Sequence, residues 1–422
     1  MGNGSLQRHI GIVLPNLGGG GTERATLDLA GTLIERGHRI DLVLLRFAGS
    51  YRAAIPPGLR LYYRRFGKRP RDLLDYCRDS GIEATRIPFD PPAAVRALPA
   101  LCRTLPQTRY SWSKARGSFD VARYLREARP DLLISALPRA NVAAILGAQL
   151  AGRTVPVAAS VRNNVRLSYS RKEQAVARRL MPEADAVVAV SKGVAADTVE
   201  TLGLDPGRVH TIYNPKPLEE IRRLAEAEPD HPWFSGGGPP IILSVLRNAP
   251  QKDWATLTAA FGQVRRTVQA RLAILGDLSE EYRARIMEQA GKSGVAEDIA
   301  FLGFDENPYR YMRQAALFVL SSRWEGLPNV LIEAQACGTP VISTDAPYGP
   351  AEILEDGRWG RLTPVGDAEA MAQAILDSLA GDTVPVEALR RRAEDFSAER
   401  AVAAYELLIG RVVAPKIIDS QT

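Results

Sequence analysis

The amino-acid sequence predicts an α/β protein with two doubly wound, Rossmann-like domains, each built on a parallel sheet. The chain has 422 residues, more than one hydrophobic core usually supports. Its 45% hydrophobic and 24% charged residues are typical of a globular protein. Short apolar runs alternate with helical patterns in two series of similar size, which indicates βαβ units.

The first series opens with a strand, a glycine loop and a helix. Residues 9–14 form an apolar run of buried-strand type. Four glycines follow at 18–21, and residues 23–35 carry apolar side chains at helical spacing until Gly37 ends the pattern. Later strands are predicted at residues 40–45, 131–135, 155–160, 186–190 and 209–213.

The second series follows prolines and glycines at 214–240 that indicate a domain boundary. Its strands are predicted at residues 241–245, 272–275, 300–302, 317–320 and 340–343. We therefore expect an N-terminal domain at 1–216, a linker at 217–240, a C-terminal domain at 241–397, and a helix and tail at 398–422 that cross a domain surface. Ligands bind beyond the carboxyl ends of strands in such sheets, so the domains are expected to face each other across a cleft.

Two glutamates, Glu325 and Glu333, enclose an uncharged, largely apolar run. Pro328 fits the first turn of a helix, which places Glu325 on the entering loop and Glu333 inside the helix. Eight residues of helical rise separate them by at most about 12 Å, whereas the carboxyls of a retaining glycosidase lie about 5 Å apart. The spacing suits two carboxylates that bind opposite ends of an extended, hydroxyl-rich ligand. The structural alternative is a buried helix in which a partner within the protein satisfies the glutamate.

Two further features are suited to binding phosphate. The glycine loop at 18–21 lies between a strand and a helix, where backbone N–H groups attract anions. It fails as a dinucleotide fingerprint because Glu23 stands where glycine or alanine is needed, which disfavours a nicotinamide oxidoreductase. Arg247 and Lys252 follow the first strand of the second domain and are suited to holding a diphosphate.

Other residue types predict that no metal or cofactor is required. The sequence has no Asp-x-Asp, and its four histidines are isolated, so no metal-ligand pattern is present. The three cysteines are scattered, which favours reduced thiols in the cytosol. No apolar run reaches the roughly 20 residues of a membrane-spanning helix, and the first residues lack a signal-peptide core.

Positive charge is concentrated between residues 46 and 129. This segment has 18 Lys and Arg against 7 Asp and Glu, although the whole chain is only +6. Aromatic residues interleave with the cations at 64–69 and 109–116. We expect an anionic partner there, which can be a nucleic acid, a phosphorylated substrate or an anionic membrane surface; a solvated arginine-rich face is the alternative. No nucleic-acid-binding module is recognisable, so no nucleic acid is expected.

The stretch from Trp324 to Ile342 resembles the signature of glycosyltransferase family 4 (group 1), the retaining nucleotide-sugar transferases of GT-B fold. The resemblance extends over most of the second domain, at residues 244–247, 251–253, 274–277, 301–304 and 349–364. In the first domain it rests on residues 18–23, 189–191 and 212–215.

The resemblance implies a role for each matching residue. Glu333 would hold the ribose hydroxyls, Glu325 would contact the transferred sugar, and the cations Arg247 and Lys252 would stabilise the leaving diphosphate. The remaining donor contacts would come from Gly20, Gly21 and Thr22, which close over the donor, from Gly303 and Phe304 near the base, and from the backbone at Gly326, Leu327, Pro328 and Asn329.

The chain departs from the family pattern at two positions. Leu246 stands where many members have glycine. Arg162 and Asn163 follow a strand after which many members carry a histidine. Because arginine cannot accept a proton as a general base, Arg162 and Asn163 are expected to bind an acceptor phosphate or the sugar phosphate of the donor.

These observations predict a retaining, metal-independent hexosyl- or N-acetylhexosaminyl-transferase. A nucleotide-diphosphate sugar, with a UDP-sugar favoured, would donate to a glycan or polyprenyl-diphosphate-linked acceptor in cell-surface polysaccharide or glycoconjugate synthesis. The protein is expected in the cytoplasm, peripherally on the inner face of the plasma membrane. The alternatives are a GT-B-like sugar-nucleotide epimerase or phosphorylase, and a non-catalytic basic relative that binds nucleic acid or membrane.

Overall fold

The computed structural model describes residues 7–18, 20–46, 48, 55–63, 77–87 and 109–413, with residues 109–116 described as backbone alone. The chain forms two compact units. Unit 1 comprises residues 1–215 and 398–422, and unit 2 comprises residues 216–397. In the described part of the chain, no helix is long and apolar enough to cross a membrane.

Unit 1 is built on an eight-stranded sheet in the order β4-β3-β2-β1-β5-β6-β7-β8. All of its pairings are parallel. The strand order reverses between β1 and β5, which is the switch point of a doubly wound sheet. The strands are β1 (His9–Leu14), β2 (Arg39–Leu44), β3 (Arg60–Tyr63), β4 (Ala84–Arg86), β5 (Leu132–Ala136), β6 (Val157–Val161), β7 (Ala186–Ala189) and β8 (Val209–Thr211).

Helices accompany this sheet along the chain. The C-terminal helix contributes Val402 and Tyr405 to the core of unit 1 and packs against the first helix, because its apolar residues recur on one face. The helices of unit 1 are Gly21–Glu35, Arg109–Ala128, Pro138–Leu150, Val165–Ser168, Arg171–Leu180, Lys192–Leu202 and Ala398–Val412.

Unit 2 is built on a six-stranded sheet in the order β11-β10-β9-β12-β13-β14. Its pairings are also parallel, and its order reverses between β9 and β12. The strands are β9 (Ile241–Val245), β10 (Arg271–Leu275), β11 (Ile299–Gly303), β12 (Leu317–Leu320), β13 (Val341–Thr344) and β14 (Arg361–Thr363).

Several helices of unit 2 share a buried apolar core with this sheet, and one helix lies in the segment that the sequence assigns to a linker. Leu218 and Ile221 of that helix are buried. The helices are Leu218–Ala225, Trp254–Val264, Glu280–Lys292, Tyr309–Gln314, Asn329–Cys337, Pro350–Leu354, Ala368–Leu379 and Val386–Ala393. The predicted α/β architecture with two doubly wound domains is confirmed.

The sequence analysis does not predict three of the strands. Strands β4 and β14 have three residues each and lie at sheet edges. Strand β3 reads Arg-Leu-Tyr-Tyr, which has no apolar run. Such short strands form because a neighbouring strand offers unpaired backbone N–H and C=O groups. The position of that neighbour cannot be read from the local sequence.

Buried Asp41 ties three strands and a helix of unit 1 together. It accepts hydrogen bonds from Arg60 at 2.6 Å and from Tyr124 at 3.0 Å, and it lies 2.6 Å from Nε2 of His9. Burial by itself would raise the pKa of Asp41, but hydrogen bonds and charge from His9 and Arg60 outweigh it and hold the pKa below its ordinary value. The ionised carboxylate therefore stabilises the folded state.

Replacing this carboxylate should cost stability in a pH-dependent way. We expect Asp41→Asn to lower the free energy of unfolding by about 3 kcal/mol at pH 7. Because the folded-state pKa is lowered, the wild-type advantage is complete above the ordinary pKa of 3.8 and is lost as the pH falls through the folded-state value. Urea denaturation between pH 7 and pH 3 measures the difference.

The exposed pair Arg123–Glu127 in the same unit supplies the control. Glu127→Gln should change the free energy of unfolding by less than about 1 kcal/mol. A difference between wild type and Asp41→Asn that stays constant down to pH 3 would contradict the assignment.

Candidate active site

The switch point of the second sheet brings together three of the predicted residues. Arg247 and Lys252 lie on the segment after β9, and Glu325 lies on the segment after β12. Strands β9 and β12 are hydrogen-bonded neighbours, so both segments leave the same edge of the sheet. Ligands of doubly wound folds bind at this position, where the two connections diverge.

Glu325 and Lys252 form a direct ion pair. Nζ of Lys252 lies 2.7 Å from Oε1 of Glu325, and the hydroxyl of Ser322 donates to the same oxygen at 2.7 Å. Among the described residues, Oε2 of Glu325 receives no hydrogen bond. The pair therefore commits one carboxylate oxygen to the protein and leaves the other as an acceptor for a hydroxyl.

Gln251 links the two segments on either side of this pair. Its side-chain oxygen accepts from Nη2 of Arg247 at 2.5 Å, and its amide nitrogen donates to the carbonyl of Trp324 at 2.7 Å. Its own carbonyl accepts from the backbone N–H of Arg323 at 2.8 Å. Arg323 in turn pairs with Asp253 at 3.0 Å. These contacts fix Arg247 beside the Lys252–Glu325 pair.

The loop from Gly326 to Pro328 is held by the segment after β13. The backbone N–H of Glu325 donates to the carbonyl of Pro347 at 2.9 Å, and the N–H of Tyr348 returns a bond to the carbonyl of Glu325 at 2.8 Å. Gly349 has φ +99°, and a Cβ there would lie 2.8 Å from the carbonyl oxygen of Gly326. Only glycine fits this close approach.

The helix after this loop begins one residue later than the sequence predicts. Pro328 is its N-cap rather than part of its first turn, and the helix runs from Asn329 to Cys337 until Gly338 adopts a left-handed conformation. The predicted placement of Glu325 on the loop and Glu333 inside the helix matches the structure.

Glu333 is paired with a lysine to which the sequence analysis gives no role. Nζ of Lys216 lies 2.7 Å from Oε1 of Glu333, and both side chains are buried. One turn further along the helix, burial and the negative charge of Glu333 raise the pKa of the Cys337 thiol to about 12. The thiol is therefore neutral and unsuited to nucleophilic chemistry at physiological pH.

Two other predicted residues, Gly303 and Phe304, lie at the same edge of the second sheet, together with Leu246, which departs from the family pattern. Gly303 ends β11, and the next side chain, Phe304, is 48% exposed, a state suited to stacking against a planar base. Leu246, where many family members have glycine, buries its side chain in the core of unit 2.

The remaining predicted residues belong to unit 1. Gly20 is the N-cap of the helix that begins at Gly21, and the Thr22 carbonyl accepts from the Thr26 hydroxyl at 2.8 Å. Gly19 lies outside the described residues. The glycine segment thus occupies the carboxyl end of β1, at the switch point of the first sheet.

Arg162 follows β6 and is only 9% exposed. Its Nη1 donates to Oδ1 of Asn214 at 2.6 Å, whereas its buried Nε has no hydrogen-bond partner among the described residues. Asn163 accepts from the backbone N–H of Asn164, which caps the next helix. Since an uncharged amide does not neutralise a guanidinium, Arg162 is suited to binding an anion.

Much of the basic segment 46–129 lies outside the described residues, including 64–76, 88–108 and the side chains of 109–116. Across the described ranges, the structure contains no group of three or more His, Cys, Asp or Glu residues positioned to hold a metal ion.

Sequence reasoning missed three residues of this site. Ser322 and Gln251 neighbour predicted residues, but their contacts depend on how two loops fold together. Lys216 lies between Pro215 and Pro217, a pattern that indicates a boundary. The only signal in the sequence was Glu333 itself. A glutamate inside an apolar helix needs a cation to compensate its charge, and the local sequence contains none.

Two doubly wound parallel sheets, with carboxylates and cations at the switch point of the second, define the architecture of a GT-B glycosyltransferase. Residues 19–220 match the model for Glycosyltransferase Family 4, and residues 239–381 match the model for Glycosyl transferases group 1. The chain belongs to this glycosyltransferase family, as its resemblance predicts.

Individual relatives match parts of the chain. It is 32% identical over 55% of its length to the Campylobacter jejuni N-acetylgalactosamine-N,N′-diacetylbacillosaminyl-diphospho-undecaprenol 4-alpha-N-acetylgalactosaminyltransferase, and the match covers 60% of that protein. It is 30% identical over 53% of its length to the Rhizobium meliloti lipopolysaccharide core biosynthesis glycosyltransferase LpsE, covering 64% of it. The chain thus spans less than two thirds of these curated relatives.

Solved structures confirm the fold over almost the whole chain. The crystal structure of Anabaena HepE in complex with UDP and glucose superimposes with a TM-score of 0.73, covering 96% of this chain and 100% of that one at 18% identity.

The contact between Gly349 and the Gly326–Pro328 loop leads to a prediction about stability. Gly349→Ala should lower the melting temperature more than Gly357→Ala. Both glycines have φ near +100°, but the nearest atom to a Cβ at Gly357 is 3.8 Å away, so only backbone strain applies there. Overlap with Gly326 and Pro328 should add about 1–3 kcal/mol of destabilisation.

Thermal unfolding of the two variants side by side measures this difference. Equal losses in the two variants would show that the loop does not depend on the glycine contact.

Proposed function

We propose that this protein is a retaining, metal-independent glycosyltransferase that uses a nucleotide-diphosphate sugar, with a UDP-sugar favoured. One observation carries the proposal: Lys252 and Glu325 are paired at 2.7 Å, beside Arg247, at the switch point of the second sheet. This arrangement offers a carboxylate for sugar hydroxyls and two cations for a diphosphate within one site.

In the proposed reaction, the bond between the anomeric carbon and the oxygen of the β-phosphate breaks. The acceptor hydroxyl forms its new bond to the anomeric carbon on the same face, and its proton passes to the departing phosphate oxygen. Arg247 and Lys252 stabilise the charge that develops on that phosphate. Glu325 orients the transferred sugar, and backbone N–H groups in the 326–329 segment contact the sugar or diphosphate.

We propose the remaining contacts of the donor site from the resemblance to the family. Glu333 accepts hydrogen bonds from ribose hydroxyls, and Gly303 and Phe304 contact the base. In unit 1, the segment from Gly20 to Thr22 binds an anionic group of a ligand. One relative is an alpha-N-acetylgalactosaminyltransferase, which supports transfer of a hexosyl or N-acetylhexosaminyl group.

For the acceptor, we propose a glycan carried on a polyprenyl diphosphate or a cell-surface polysaccharide precursor. The names of the relatives, a diphospho-undecaprenol glycosyltransferase and a lipopolysaccharide core glycosyltransferase, support this class. Arg162, with its buried guanidinium and uncharged partner, and Asn163 bind a phosphate of the acceptor or of the donor sugar.

Removing a charged side chain from the proposed donor site should impair sugar transfer. Lys252→Ala and Glu333→Ala should each lower kcat/KM by about 10²-fold or more, because each removes a charged contact with the donor. A transfer assay with a productive donor, chosen by thermal-shift screening with UDP, GDP and ADP, measures the effect. Lys292→Ala is the matched control, since Lys292 is an exposed lysine paired with Glu288 on a helix surface.

The same assay tests the other parts of the proposal. Turnover should persist in EDTA, and proton NMR should show a product with the anomeric configuration of the donor. Near-wild-type turnover of both Lys252→Ala and Glu333→Ala would contradict the proposed donor site. Loss of turnover in EDTA would contradict metal independence. A product with the inverted anomeric configuration would contradict the retaining mechanism.

We also propose that the protein works in the cytoplasm, at the inner face of the plasma membrane, through the basic segment 46–129. Its excess of cations is suited to anionic headgroups. The protein should float with liposomes that contain anionic lipid and be released by salt. Equal flotation with neutral and anionic liposomes would argue against an electrostatic attachment.

A further inference from the structure

Lys216 is among the largest fully buried side chains of the protein, with 1% of its surface exposed. A lysine is rarely buried to this extent unless a negative group pairs with it. Its partner is Glu333, at 2.7 Å from Nζ to Oε1. The lysine therefore belongs to the environment of a proposed ligand-binding carboxylate.

The backbone of Lys216 is fixed as firmly as its side chain. Its N–H donates to the carbonyl of Phe396 at 3.1 Å, and it forms a parallel bridge with Ser397. The helix that follows, Leu218–Ala225, packs against the helix Asn329–Cys337 that carries Glu333. Lys216 thus reaches Glu333 from a rigid position, so the ion pair selects one orientation of the carboxylate.

The ion pair also determines which oxygen of Glu333 is available to a ligand. Oε1 is committed to Lys216, and Oε2 receives no hydrogen bond from the described residues. The Glu333 side chain retains 10% exposure. We propose that Lys216 is a positioning residue that holds Glu333 with Oε2 directed at the ribose of the donor nucleotide. This inference rests on the proposed donor site.

Such an arrangement improves ribose recognition for two physical reasons. A glutamate side chain has several rotatable bonds, and ordering it before the ligand arrives removes an entropic cost from binding. The charge of Lys216 also offsets the cost of keeping the carboxylate away from water. Because Lys216 is itself almost inaccessible, it acts through Glu333.

Nucleotide binding by the full chain tests this role. Isothermal titration is carried out with UDP, 2′-deoxy-UDP and 3′-deoxy-UDP, or the equivalent series for GDP or ADP if the screen selects that base. Wild type should bind the ribonucleotide roughly tenfold or more tightly than at least one deoxy analogue, as one hydrogen bond to a charged group implies. Lys216→Met should bring the ratio of these two affinities towards one. It should leave the affinity for the deoxy analogue that wild type binds more weakly nearly unchanged.

A double-mutant cycle separates positioning from general stabilisation. Glu333→Gln should reduce the same ratio, and Lys216→Met added to Glu333→Gln should reduce it no further, because residues that act through one contact are not additive. Arg265→Met is the structural control: Arg265 pairs with Asp298 at 2.8 Å in the same unit and should leave the ratio unchanged. Lys216→Gln provides a second variant if Lys216→Met does not fold.

The outcomes distinguish this inference from the proposed function. If Glu333→Gln loses the discrimination and the Lys216 variants keep it, Lys216 has no positioning role, although the donor site stands. The inference is also overturned, without loss of the nucleotide site, if wild type binds UDP and its deoxy analogues equally. Binding to none of UDP, GDP and ADP would overturn both proposals.

Discussion

A carboxylate buried in an apolar helix or at its entrance requires a cation, and this requirement organises the second unit. Glu325 and Glu333 lie at opposite ends of an otherwise uncharged run, and each is matched by one lysine at 2.7 Å. Lys252 comes from the segment after β9, and Lys216 comes from the beginning of the unit. The helix that carries Glu333 and the loop that enters it therefore depend on two segments distant in sequence to compensate their buried charges.

The parts of this arrangement that are local in sequence were predictable. Apolar runs predicted β1, β9 and β12 with the bounds that the structure shows, because a buried strand of a parallel sheet needs a continuous apolar stretch. Once the strands are known, the switch point follows from the parallel topology. Arg247 and Glu325 then have to lie at one edge of the sheet, because each follows the carboxyl end of a neighbouring strand.

The pairing of these residues was not predictable, because it depends on contacts between segments far apart in sequence. Lys216 and Glu333 are separated by 117 residues, and Lys252 and Glu325 by 73. Local pattern places Lys216 at a domain boundary, as the last residue of the first domain, because prolines flank it. It also gives no role to Gln251, whose amide joins two loops only after both have folded. The sequence showed that buried glutamates need cations but contained no local signal to identify them.

The two lysine–glutamate pairs are similar in length, but their different exposure gives them different chemical capacities. Lys252 retains 14% side-chain exposure and lies beside Arg247. In the proposed donor complex, the diphosphate and Glu325 therefore share the positive charge of Lys252. Part of the attraction between Lys252 and Glu325 is then replaced by attraction to phosphate. Lys216 is 1% exposed, so a ligand cannot contact it directly and, in the proposed complex, it stays paired with Glu333. In the proposed donor complex, Glu325 is thus coupled to the charge of the ligand, whereas Glu333 keeps the fixed orientation that recognition of an uncharged ribose requires.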